Sequence, residues 1–151
     1  MLWLLNAEGL RWAAETLWNQ YFIDDASGRR LGPVMLLAGL TIELLLKGLA
    51  VGRQKAAPRT HDLLELAEVA GLQLRPPEEE LLERLTVFVR WAGRYPVPLE
   101  RHVEDMMPRT HLGGGAMPLT YMRGDDRQVW SALIARLSEE LSATTESGPA
   151  G

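Results

Sequence analysis

The chain has no cysteine, and only three of its 151 residues are histidine. The first absence excludes disulfides and thiolate metal sites and suits a reducing compartment. Strand-like alternation of apolar and polar residues is missing throughout, which argues against a sheet-based fold. There is no excess of basic residues either. Sixteen Lys and Arg stand against twenty Asp and Glu, a formal charge of -4, and the isoelectric point is near 5.4. That balance argues against a surface built as a whole to grip nucleic acid and leaves room only for a local basic patch. The opening residues, MLWLLNAEGLRW, lack the basic start, longer apolar run and small-residue cleavage site of a secretory signal. A cytoplasmic location is the expectation.

What is present is 46% hydrophobic content in a length that suits one core. The expected organisation is a single helical-bundle domain over residues 1–143 and a disordered tail over 144–151. The run LGPVMLLAGLTIELLLKGLAVG, from Leu31 to Gly52, approaches the roughly 20 apolar residues that span a bilayer. Glu43 and Lys47 decide against a span, because each would cost about 2.5 to 3.5 kcal/mol near its middle. Four residues apart on a helix, they share a face and can pair, so the run reads as the central helix of a bundle.

Turn chemistry divides the rest. Asn6 is expected to cap a first helix that ends near Asp24, with Leu10, Leu17 and Tyr21 at helical spacing. Pro33 suits the first turn of the second helix, and Gly52 should stop it. Thr60 is expected to cap a short third helix from His61 to Ala70, ended by Gly71. Pro76-Pro77 followed by three glutamates opens a fourth, striped with Leu81, Leu82, Leu85, Phe88, Val89 and Ala92, that should end near Gly93. Residues 106–125, with Gly113-Gly114-Gly115, read as a long loop. A last helix, Asp126 to Ser142, carries Val129, Trp130, Leu133, Ile134, Leu137 and Leu141. The fold class is therefore all-α, an antiparallel bundle of four to five helices.

Pro-Arg-Thr-His occurs twice, ending at His61 and at His111. The first copy opens an amphipathic segment, the second runs into glycines, and their flanks do not match. Four shared letters without shared context are chance rather than duplication.

Three other stretches carry a resemblance: Glu43-Leu44-Leu45-Leu46-Lys47-Gly48-Leu49, Thr60-His61-Asp62-Leu63-Leu64-Glu65-Leu66, and Arg94-Tyr95-Pro96-Val97-Pro98. In order and spacing they resemble the HEPN domains, a family of small helical bundles. Many members are metal-independent ribonucleases of toxin-antitoxin, phage-defence and CRISPR systems. The resemblance implies an RNA-related role, an endoribonuclease or a relative that binds RNA without cutting it. It also implies a homodimer, with a cognate partner such as an antitoxin, and no cofactor, metal or membrane.

The family signature is an arginine, four to six residues, then a histidine. Here Arg94 and His102 fill those places with seven residues between them, Pro96 and Pro98 among them. An imidazole can move the proton of a ribose 2′-hydroxyl or of the leaving group, and an arginine fork can hold the phosphate as charge builds. Arg90, Tyr95 and Arg101 are expected to contact RNA, as a positive strip with an aromatic ring for base stacking. Glu43, Lys47 and His61 are expected to support the site: the first two as a pair or helix tether, with Glu43 alternatively reaching Arg94, and His61 bonded to backbone or a carboxylate.

Two other function classes are open. A bundle that binds a partner protein would expose an apolar face, for which Leu2, Trp3 and Leu5 are candidates. A nucleotide or small-molecule binder would use an interhelical pocket with Trp91 or Trp130 as a wall.

Overall fold

The computed structural model describes residues 2–24, 31–92 and 121–146, and among them every regular element is helical. Helix α1 spans Leu2–Asp24, α2 Leu31–Gly52, α3 Leu63–Ala70 and α4 Pro76–Val87; α4 continues into a π-helical turn, Phe88–Ala92, and α5 spans Asp126–Glu146.

Helix α2 is the hub, packing against α1, α3, α4 with its π turn, and α5. This placement accounts for its composition. Its apolar stretch is long and hydrophobic enough to cross a membrane by length alone, with a mean hydropathy of 2.0, yet 67% of that stretch is buried within the bundle. A helix with neighbours on several sides is apolar nearly all round. Small residues on α2 admit those neighbours: a Cβ on Gly39 would collide with Val89 of the π turn, and one on Gly48 would stand 2.8 Å from Trp3 Cβ. The largest side chains of the core meet across α1 and α5, where Trp18 and Trp130 lie 5.3 Å apart at 49°. Trp130 Nε1 donates to the Ala38 carbonyl at 3.1 Å, tying α5 to α2.

Several boundaries differ from the sequence expectations, each for a physical reason. Helix α1 begins at Leu2, so Asn6 lies inside it and caps nothing; Trp3, packed on Gly48, gives that first turn a tertiary partner. Helix α2 begins at Leu31 and so keeps Pro33 in its first turn, as expected. The cap of α3 is Asp62, not Thr60: Asp62 has extended backbone and its side chain accepts from Leu64 N and Glu65 N. Thr60 Oγ1 instead accepts from Asp62 N at 3.0 Å and holds the cap in place. Gly71 ends α3 as expected, in the left-handed conformation at φ 72°, which favours glycine. Helix α5 runs past Ser142 to Glu146, and Thr144 lies where a Cβ on Gly52 would go, so residues assigned to a tail close onto the end of α2.

A buried carboxylate joins α4 to α5. Glu78, with 2% side-chain exposure, accepts from Arg75 Nη2 at 2.6 Å and from Arg136 Nη2 at 2.8 Å. Its Oε2 also accepts from the backbone N–H of Arg75 at 2.8 Å. Burial by itself pushes the Glu78 carboxyl up, but the Arg75 hydrogen bonds and the two guanidinium charges outweigh it and hold the carboxyl below its ordinary value of 4.5. A depressed folded-state value means that the linked stability is present above the unfolded value and is lost as pH falls through the folded one. Glu78→Gln is therefore expected to lose roughly 1–3 kcal/mol at neutral pH, toward the low end because both arginines keep solvent contact. Urea titrations of both proteins check this, and the gap between them should shrink as pH drops below 4.5.

Candidate functional site

The site is built around Glu43. It projects from the middle of α2, with 8% side-chain exposure. An ionised carboxylate at that depth needs donors on its lone pairs. Lys47, one turn along the same helix, supplies one through Nζ at 2.7 Å from Oε1. His61 supplies the other from the loop before α3, its Nδ1 standing 3.0 Å from Oε1 and 3.1 Å from Oε2.

That geometry fixes the imidazole. A carboxylate is acceptor-only, so His61 Nδ1 must carry the proton, and in the neutral ring the lone pair then resides on Nε2. The His61 side chain is 53% exposed, and among the described residues no hydrogen bond occupies Nε2. The cluster thus presents a basic ring nitrogen of fixed tautomer to solvent, braced from behind by a buried, charge-balanced carboxylate.

The loop that carries His61 is tied at both ends. At its start, Arg53 donates to the Ala70 carbonyl at the end of α3, and its Nη2 meets Glu140 of α5 at 2.6 Å. Lys55 donates to the Val69 carbonyl. At its end, Leu63 N donates to Thr86 Oγ1 at 3.0 Å, and Thr86 donates onward to the Leu82 carbonyl at 2.8 Å. Thr86 was not singled out from the sequence; a hydroxyl inside the apolar stripe of α4 was the only signal.

The structure brings Glu43, Lys47 and His61 together. Glu43 is held by Lys47 and His61, and Arg94, the alternative partner weighed from sequence, lies outside the described residues with Tyr95, Arg101 and His102. Arg90 sits half-buried in the π turn. Arg84 is buried and paired with Asp126, with its guanidinium 5.0 Å from the Tyr121 ring centroid, so it adds nothing to an exposed strip. Trp91 is buried and offers no face for base stacking.

For a small molecule the sequence suggested an interhelical pocket with Trp91 or Trp130 as a wall. A cavity of about 460 Å³ opens between α1, α2 and α5, walled by Leu4, Ala7, Arg11, Thr41, Leu45 and Ile134 among others, and no tryptophan lines it. Trp130 is fully buried in the core instead. Among the described residues no group of three or more His, Asp or Glu side chains could hold a metal ion.

The described elements define an all-helical bundle with a carboxylate–imidazole pair at its surface. No family model matches the chain, and no curated protein or solved structure matches it.

Proposed function

We propose that this protein is a HEPN-like, RNA-associated bundle that acts as a metal-independent endoribonuclease. What supports the reading is the convergence of two separated stretches of the resemblance. The Glu43 to Lys47 segment of α2 and the Thr60-His61-Asp62 lead into α3 are joined by the Glu43–His61 hydrogen bonds. The third stretch opens at Arg94, two residues after the π turn that ends α4. On this reading Arg94 holds the phosphate and His102 moves a proton, as the signature implies.

The test is cleavage of a mixed, labelled RNA pool by the purified protein in excess EDTA, beside Arg94→Ala and His102→Ala. Cleavage by the wild type is expected, with each folded variant slower by about 100-fold or more. Salt-dependent retention of RNA without cleavage would leave an RNA-binding relative that has lost catalysis. The absence of both cleavage and retention would overturn the RNA reading.

A second reading, a non-enzymatic bundle that docks a partner protein, is favoured by one observation. Leu2, Leu5 and Trp12 are 77%, 58% and 71% exposed, and their spacing puts them on one face of α1 around Gly9, where an added Cβ would meet nothing. Trp12 takes the place that the sequence suggested for Trp3, which packs half-buried against α2.

A further inference from the structure

We infer that His61 is itself a catalytic residue: Glu43 and His61 form a proton-transfer dyad that acts on the 2′-hydroxyl of RNA, with Arg59 beside it as a phosphate anchor. The inference rests on the RNA reading above and adds a residue that the Arg-to-His signature does not include.

Four observations carry it. The carboxylate is buried while the imidazole is half-exposed, the disposition in which an orienting acid works through a histidine on a substrate outside. The ring is held by Nδ1, so Nε2 is the nitrogen left to react. Lys47 already balances the charge of Glu43, which leaves the carboxylate as an acceptor that steadies an imidazolium when one forms. Finally, Arg59 stands two residues before His61 in the same tied loop; it is exposed and, among the described residues, makes no hydrogen bond or ion pair. A structural tether needs the Glu43–His61 bond but has no use for an open Nε2 or for an exposed guanidinium two residues earlier in the loop.

The step balances as follows. Nε2 takes the proton of the 2′-hydroxyl, and the 2′-oxygen forms a bond to phosphorus as the bond to the 5′-oxygen breaks. The departing 5′-oxygen takes a proton from water, and the resulting hydroxide neutralises the imidazolium. The products are a 2′,3′-cyclic phosphate and a 5′-hydroxyl, with no metal or redox partner required. Arg59 offers its fork to the non-bridging oxygens, whose charge grows along the path.

The experiment uses the full chain in excess EDTA with two substrates, the labelled RNA pool and uridine 3′-(4-nitrophenyl) phosphate, which has no sequence requirement. His61→Gln keeps an N–H donor for Glu43 but has no basic nitrogen, so it separates chemistry from tethering; circular dichroism confirms that it folds. Relative to a cleaving wild type, it should be slower by about 10²- to 10⁴-fold, the usual contribution of a positioned acid or base. His61→Ala should recover part of its rate when imidazole is added. Glu43→Gln, a positioning variant, should lower kcat and displace the acidic limb of the pH profile, where the general base becomes protonated, while KM holds. If the wild type cleaves and folded His61→Gln stays within about threefold of it, far below a general base's contribution, the dyad is overturned and the RNA reading stands. If the wild type cleaves neither substrate, the dyad is overturned as well, and salt-dependent RNA retention then decides the RNA reading separately.

Discussion

Asp126→Ala is expected to destabilise the protein by about 3–5 kcal/mol, because it strands a buried guanidinium. Asp126 opens α5 with its side chain 3% exposed, and Arg84 of α4 reaches it with 2% exposure. The Asp126 carboxylate also accepts from Arg123 N at 2.7 Å. Burial, the largest influence, pushes the Asp126 carboxyl above its ordinary value against the pull of the Arg123 N–H and the Arg84 charge. A raised value means that the linked stability is full below the unfolded value of 3.8 and is lost as pH rises through the folded one. At neutral pH, then, the aspartate is held ionised at some cost, and its service is to neutralise Arg84. The double variant Arg84→Met, Asp126→Ala should consequently recover much of the loss, since apolar replacement of a whole buried pair is often close to neutral. A double-mutant cycle by urea unfolding checks this. Additive single losses would contradict it, because contacting residues couple by about 0.5–3 kcal/mol.

Trp130→Ala should cost a similar amount, about 3–5 kcal/mol, by a different route. The side chain is fully buried and packs against Trp18 in a tilted pair. Its removal leaves a cavity where α1, α2 and α5 meet and strips the Ala38 carbonyl of the indole N–H. Chemical denaturation should show the loss with an unchanged m-value if the bundle still unfolds in one step. Trp130→Phe, which refills most of the space but cannot donate, should fall between the two and report the share owed to the hydrogen bond. Since Trp130 bonds to α2 at Ala38 rather than at Glu43, RNA assays on the folded fraction of either variant should match the wild type.

The helices themselves were largely legible in the sequence, because their cause is local. The Leu31 to Gly52 run, broken only by Glu43 and Lys47, marked a buried central helix, and the structure surrounds it with the other elements. Gly71 and the Pro76-Pro77-Glu78 start were equally plain, since proline at a helix entrance and glycine at its exit act through their own backbones. The ends misread were those set by distant contacts: Leu2 to Asn6 by Trp3 on Gly48, and Thr144 to Glu146 by Gly52. Thr60 was mistaken for the cap of α3 because two good capping residues stand two apart, and only the backbone geometry selects Asp62.

The site was legible in its parts and not in its arrangement. The Glu43–Lys47 pair follows from i,i+4 spacing, whereas the Glu43–His61 link joins residues eighteen apart through a loop without periodicity. Arg84 and Asp126, forty-two apart, gave no local sign of each other. The pairing that takes this arginine off the surface is a tertiary fact.

The π turn at Phe88–Ala92 matters for how relatives of this chain should be compared. Such a turn houses one residue more than the α-helical turn it replaces. Losing that residue would restore ordinary winding and leave Pro76 to Val87 in place, while everything after Ala92 would turn by about 100° about the helix axis. A one-residue gap opened inside this turn is therefore the natural way to align a chain that lacks it. A count of spacing from the helix into Arg94 compares like with like only after that gap is placed.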